Sequence, residues 1–125
     1  MSTWKTNELH RIADTDDLHI APFREDGKTP GTPTWIWSVV VDDAVYVRAY
    51  NGVNSRWYKA AMREMGGQIS AAGMTKEVLF APVEGPINDR IDSAYRDKYA
   101  GSPYFSAMVV PKTRAATVRI MPKEG

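Results

Sequence analysis

Hydrophobic and polar positions alternate most clearly over Thr34 to Asp42. There Trp35, Trp37, Val39 and Val41 share one side of an extended chain, with Ile36, Ser38 and Val40 on the other. Both sides are largely apolar, so the spacing predicts a strand inside a sheet or barrel, covered on both faces. Asp42-Asp43 is a tight-turn candidate, and Val45 to Tyr50 follows as the hairpin partner. Val45, Val47 and Ala49 share one face of that strand, and Tyr46, Arg48 and Tyr50 share the other. Leu18 to Phe23, Gln68 to Ala72, Glu77 to Val83 and Ala115 to Met121 bring the total to six strands. Helical spacing recurs three times. Trp4 to Ala13 carries a narrow stripe of Leu9, Ile12 and Ala13, with Thr6 as its cap. A second helix starts at Ser55, buries Trp57, Tyr58, Ala61, Met62 and Met65, and stops at Gly66-Gly67. A third opens at Pro86 and carries Ile87, Ile91, Ala94 and Tyr95, with Gly101 beyond its end. Strands joined by hairpins outnumber helical connections, which predicts an α+β fold built on a six-stranded antiparallel barrel.

Composition narrows what such a barrel can do. A chain of 125 residues holds one domain. Sixteen Lys+Arg against fifteen Asp+Glu leave a charge of +1, so no bulk field draws the chain to nucleic acid or to an anionic membrane. With no cysteine, disulfides, thiolate metal sites and cysteine nucleophiles are excluded. His10 and His19 are the sole histidines, too few for a histidine-rich metal site. The first residues, MSTWKTNELHRIAD, contain no apolar run of signal or membrane-spanning length, and the expected location is the cytoplasm.

The most informative stretch runs from Tyr46 to Tyr58. A strand ends, Asn51-Gly52-Val53-Asn54 makes a loop, and Ser55-Arg56 stands at a helix start. Backbone N–H groups and the dipole make such a start an anion site, and a hydroxyl and a guanidinium strengthen it. The plainer alternative is that Ser55 caps the helix and Arg56 is solvated. Arg48 and Tyr50 reach the same mouth if their face lies outside the barrel. Trp35 and Trp37 suit stacking on a planar ring or filling a core, and Trp57 suits a pocket wall or the helix interior. His19 beside Asp16 and Asp17 offers a general base without an accompanying nucleophile, and a hydrogen-bonded strand histidine is the better reading. The cluster of Asp14, Asp16 and Asp17 lacks calcium-loop spacing. Arg24, Lys28 and the glycines between 27 and 32 form a loop without Walker or dinucleotide spacing.

The phrases from Asp17 to Gly27, Gly31 to Trp37, Val47 to Gly52 and Ser55 to Tyr58 resemble, over the whole chain, the domain-of-unknown-function family 2255, which brings no established activity. From about residue 27 to 122 the order of elements is also similar to the flavin-binding split barrels. In the deazaflavin-dependent nitroreductases, a Gly-rich loop, a Pro-containing strand, a hairpin strand, an Asn-Gly loop and a helix opening with Trp-Tyr follow one another as here. In the pyridoxamine-phosphate oxidases a Ser-Arg-Lys at the helix start holds the flavin phosphate, with Ser55-Arg56 as the counterpart. The chain departs from these families in three places: Thr34 to Ser38 is uncharged, Trp57 stands where the oxidases have Lys, and Glu25 to Lys28 is less basic.

The resemblance implies a split barrel, dimeric, binding FMN or a deazaflavin. Ser55, Arg56 and the backbone at the helix start would hold the phosphate, with Asn51 also among the cofactor-binding residues. Arg48 and Tyr50 would line the groove, with Trp35, Trp37 or Trp57 flanking the ring, and the chemistry would be hydride transfer to a small substrate. The alternatives are a cofactor-free barrel using the same aromatic groove, as binder or enzyme, and an interaction module whose aromatics form the dimer contact.

Overall fold

The strands of the computed structural model, which describes residues 4–123, follow the alternation of the sequence. In chain order they are β1 (Leu18–Pro22), β2 (Thr34–Ile36), β3 (Ser38–Val41), β4 (Ala44–Arg48), β5 (Gly66–Ala71), β6 (Met74–Pro82) and β7 (Thr117–Pro122). They form one antiparallel sheet in the order β2-β1-β5-β6-β7-β4-β3. The α-helices are α1 (Thr6–Ala13), α2 (Arg56–Glu64), α3 (Ile87–Tyr99) and α4 (Pro111–Arg114), with 3-10 turns at Gly52–Asn54 and Phe105–Val109. The fold is α+β, a nearly closed barrel-like sheet with helices around it. No helix among the described residues is long and apolar enough to cross a membrane.

Seven strands stand where six are expected. The stretch read as one strand from Thr34 to Asp42 breaks at Trp37: β2 pairs with β1 and β3 pairs with β4. The two ends of the sheet are therefore consecutive in the chain, one residue apart, and the sheet has to curl until they meet. The bend takes backbone groups out of the ladder, and buried unpaired groups are costly. Helix α3 satisfies them. The Tyr95 hydroxyl donates to the Trp37 carbonyl at 3.3 Å. The Ser38 N–H donates to the Tyr99 hydroxyl, which in turn donates to the Ser38 carbonyl, both at 3.2 Å. Lys98 Nζ donates to the same carbonyl at 2.7 Å and to Ile12 O, in the last turn of α1, at 3.3 Å. The Trp37 indole lies flat on the Tyr99 ring, centroids 4.1 Å apart.

Alternation survives the bend. Ile36 and Val40 on one side join Leu18, Ile20, Val45, Val47, Ile69, Val78, Phe80, Val118 and Ile120 in the barrel interior, which Leu9 and Ile12 of α1 and Ala61 of α2 help to fill. On the other side Val39, Val41, Ala44 and Tyr46 are covered by Ile91, Tyr95 and Tyr99 of α3. The expectation of cover on both faces holds for β3 and fails at the start of β2, where Thr34 and Trp35 are exposed.

Two local expectations change. Gly66-Gly67 does not stop α2; Met65 does, in a left-handed conformation at φ 57°, and the glycines open β5. Gly67 is needed there because a Cβ would come within 2.6 Å of the Ala21 carbonyl oxygen and the Pro22 Cα on β1. Thr6 does not cap α1; Lys5 occupies that position, and its N–H donates to Glu8 Oε1 at 3.0 Å. Glu8 also pairs with Lys76, which holds its carboxyl below the usual range. Trp4 lies before the helix, buried, its indole N–H donating to the Ile120 carbonyl at 3.0 Å. The turns Asp42-Asp43 and Ala72-Gly73 both place two successive residues at positive φ, the geometry of two-residue hairpins.

Burial pushes the Lys98 amine down to about 8, against the pull of the Asp16 and Asp14 carboxylates, and pushes the Tyr99 hydroxyl up to about 12. Between pH 8 and 10.5 the unfolded chain holds a proton on Lys98 that the folded chain has released, so this residue makes stability rise with pH in that window. Above pH 10 Tyr99 acts in the opposite sense, since the folded state keeps a proton that the unfolded state loses. Stability of the native protein, measured by urea unfolding, is expected to climb from pH 8 to 10, with the climb flattened in Lys98→Met; an unchanged slope in the variant would refute the assignment.

Candidate functional site

The bend at Trp37 leaves a groove at the barrel seam, with a cavity volume of about 800 Å³. One wall is β2 and the bend, from Thr34 to Trp37. The opposite wall begins where β4 ends: Arg48 closes the inner side, and Tyr50, Asn51 and Asn54 follow along the loop. Ser55, Arg56 and Trp57 at the start of α2 form one end, and Tyr104 and Met108 come from the segment after α3. The residues that the sequence nominates for the site, Trp35, Trp37, Arg48, Tyr50, Asn51, Ser55, Arg56 and Trp57, all line this one groove.

The loop geometry explains why the helix start is open. Gly52 sits at φ 73°, where a Cβ would come within 2.9 Å of the Lys112 side chain, so the chain turns tightly and passes into the 3-10 turn. Ser55 then takes an extended conformation, and its carbonyl accepts the first helical bond from the Lys59 N–H at 3.0 Å. It stands at the N-cap without capping. Its side chain makes no bond to the helix, and Oγ, on a residue only 8% exposed, has no partner among the described residues. Among the described residues no acceptor takes the N–H groups of Arg56, Trp57 and Tyr58 either. These donors, the positive end of the dipole and Arg56, which makes no ion pair among the described residues, converge on one end of the groove.

Arg48 is placed differently from expectation. It faces outward from the barrel interior, the condition for reaching the mouth, but α3 covers it and the residue is 1% exposed. All five of its N–H donors are committed. Nε donates to Thr117 Oγ1 at 2.9 Å, Nη1 to Asp92 Oδ1 at 2.5 Å and the Met108 carbonyl at 2.8 Å, and Nη2 to the Asn88 carbonyl and Oδ1 at 3.2 and 3.0 Å. Its charge is balanced by Asp92 and its plane lies over the Tyr95 ring. Arg48 lines the groove without a donor left for a ligand. Removing the guanidinium would take a donor from Asp92 and from four further acceptor atoms, a loss of about 3–5 kcal/mol by analogy with other buried pairs.

The rim is aromatic and exposed: Trp35 at 54%, Tyr50 at 51% and Tyr104 at 61%. The Trp35 indole N–H is tied to the Asp16 carbonyl at 2.6 Å, and Tyr50 meets Tyr104 edge-on at 6.5 Å. Trp57 leans on the barrel core and on Tyr58, half-buried. The lining carries no carboxylate and no histidine. The other nominated groups lie elsewhere. His19 contacts Asp17 at 3.5 Å on β1, outside the groove. The loop with Arg24 and Lys28 is organised by Asp26, which accepts from the Lys28 and Thr29 N–H groups and the Thr29 hydroxyl; the Thr29 hydroxyl foremost holds its carboxyl at about 2. No group of three potential metal ligands occurs among the described residues.

Residues 8–120 match the family described as "Uncharacterized protein conserved in bacteria (DUF2255)". The chain belongs to the DUF2255 family. No curated protein matches the chain in sequence. Among solved structures it is similar to the crystal structure of the conserved hypothetical protein Rv2991 from Mycobacterium tuberculosis. The identity is 15% and the TM-score 0.63, covering 98% of this chain and 82% of that one. At that identity the likeness is one of fold. For this DUF2255 member the groove itself therefore carries the functional argument.

Ser55→Ala removes a hydroxyl that no other group satisfies among the described residues. Urea unfolding should show a gain of about 1 kcal/mol. A loss of similar size would mean that Ser55 caps α2 after all.

Proposed function

We propose that the groove binds a flavin or deazaflavin cofactor and that the protein is an oxidoreductase acting on a small organic substrate. The observation that carries the reading is the Ser55 hydroxyl, buried, unpaired and set at an open helix start inside an aromatic groove. A phosphate fits this end: it accepts from Ser55 Oγ, from the N–H groups of the first turn and from Arg56. It also satisfies donors that the chain leaves without partners. Since Asp92 balances Arg48, Arg56 is the uncompensated charge on the lining among the described residues, which orients an anionic ligand with its charge towards α2 and its ring towards the seam. There Trp37, Trp57 and the rim aromatics supply flat apolar surface. When bound, such a cofactor supplies hydride transfer. The chain binds and orients it, and the rings restrict water at the inner end. The absence of a carboxylate or histidine on the lining suits a reaction that asks the side chains for orientation more than for proton transfer.

On this reading the seam at Trp37 is the split of a split barrel. The exposed rim of Trp35, Tyr50 and Tyr104 is then covered by a second copy of the chain, giving a homodimer.

Two measurements test this. Titration of the purified protein with FMN and with the deazaflavin cofactor, followed by tryptophan quenching, should saturate in the micromolar range for one of them. Ser55→Ala/Arg56→Ala should weaken that binding about a hundredfold, as expected for loss of two charge-assisted contacts. A protein indifferent to both cofactors would overturn the reading in favour of a cofactor-free groove. Sedimentation should give twice the chain mass, and Tyr104→Asp should shift it to the monomer; a monomeric wild type would remove the dimer.

A further inference from the structure

The segment that closes the groove opposite β2 leans on α3 and α4 and has a single hydrogen bond to the sheet among the described residues. Residues 103–110 form a 3-10 turn, Phe105–Val109, preceded by the exposed Tyr104. Such turns have poor hydrogen-bond geometry and depend on what they pack against. Inside the segment and towards α4 there are local bonds: Phe105 N to Ser102 O, Ala107 N to Tyr104 O, and Thr113 Oγ1 to the Ala107 and Val110 carbonyls. To the sheet there is one hydrogen bond among the described residues, from Arg48 Nη1 to the Met108 carbonyl at 2.8 Å. Met108 is also the segment's buried anchor, packed with Tyr95 and Tyr99.

Arg48 is well placed to set that carbonyl. Its guanidinium is locked on its other donors by Thr117 on β7 and by Asn88 and Asp92 on α3. Thr117 Oγ1 in turn donates within the same cluster, to the Arg114 carbonyl at 2.7 Å or to Asn88 Oδ1 at 3.1 Å. A fork fixed at three corners presents the remaining N–H in one direction. A lysine ammonium at this position could pair with Asp92 and could not span the same set of acceptors.

We propose that Arg48 is the positioning residue of the groove: it fixes the Tyr104–Met108 wall and thereby the width of the ring-binding end, without touching the ligand's anion. The inference rests on the ligand-binding reading of the groove for its binding consequence. Its structural consequence, a wall whose one hydrogen bond to the sheet comes from Arg48, stands without that reading.

The test is Arg48→Lys, read by amide hydrogen exchange and by cofactor titration. Exchange should accelerate over residues 104–110 by more than in the barrel strands, whose protection falls only by the variant's loss of global stability in urea unfolding. Affinity for FMN or the deazaflavin should fall about tenfold, the worth of one charge-assisted hydrogen bond. Inorganic phosphate, which uses only the α2 end, should compete with the anionic end as well as in the wild type. Unchanged exchange at 104–110, or a rise spread over the whole barrel, would overturn the proposal and leave Arg48 a general packing residue. If the wild type binds neither cofactor, the reading of the groove fails while the exchange arm still decides the role of Arg48. Should Arg48→Lys fail to fold, Asn88→Ala, which removes one acceptor of Nη2 and keeps the arginine, is expected to show a smaller change at the same residues; no change there would likewise overturn it.

Discussion

The backbone at Trp37 and Ser38 is the constraint on which the rest of the molecule depends. One continuous stretch, Thr34 to Val41, has to serve as the last strand at both ends of the sheet, and this is possible only if the chain bends between β2 and β3. The Trp37 carbonyl at the bend and both backbone groups of Ser38, first residue of the edge strand β3, are taken up by three side chains of α3, Tyr95, Lys98 and Tyr99. Helix α3 is thus more than a cover for Val39, Val41 and Tyr46. It supplies the hydrogen bonds that a flat sheet would have supplied, and it fixes the curvature that nearly closes the barrel.

Curvature in turn makes the groove. Where β2 leaves β3 the wall of the barrel opens, and the chain leaving β4 crosses the gap through Tyr50 and the 3-10 turn into α2. The start of α2 is delivered to the same opening with its donors unspent. Seam, aromatic lining and helix start are consequences of one topology, which is why residues far apart in sequence, Trp35 and Arg56 among them, meet at one place.

Much of this was legible in the residues. Alternation over 34–41 and 44–48 assigns inward and outward faces correctly, even across the bend, because a two-residue period survives a kink that does not change register. The groove residues were legible because they cluster in two short stretches, 35–37 and 48–57, rich in aromatic and polar types. The bend itself was not: Trp37 is neither proline nor glycine, and what stabilises it sits 58 to 61 residues away on α3. Tyr104 and Met108 escaped for a related reason. Their segment has no helical or strand period, and it joins the groove through contacts to Tyr50, α3 and Arg48. At Gly66-Gly67 the error was one of cause: two glycines after a helix read as a stop, whereas Gly67 answers to the backbone of β1.

Arg48 and Ser55 show why residue type alone ranks a site poorly. Both line the groove and both are buried, and by charge the arginine is the stronger candidate for holding an anion. Its partners reverse the order. Thr117, Asn88, Asp92 and Met108 lie 40 to 69 positions along the chain, beyond any local pattern, and together they use every donor it has. The Ser55 hydroxyl is the weaker group and has no partner among the described residues. A buried polar group left unpaired costs stability unless something outside the chain completes it. Ser38 Oγ is a second such orphan, but it belongs to the bend, lies beside no open helix end and does not line the groove. Burial without a partner therefore becomes a ligand signal only where it coincides with an accessible cavity and other unspent donors. In this fold that coincidence occurs at the first turn of α2.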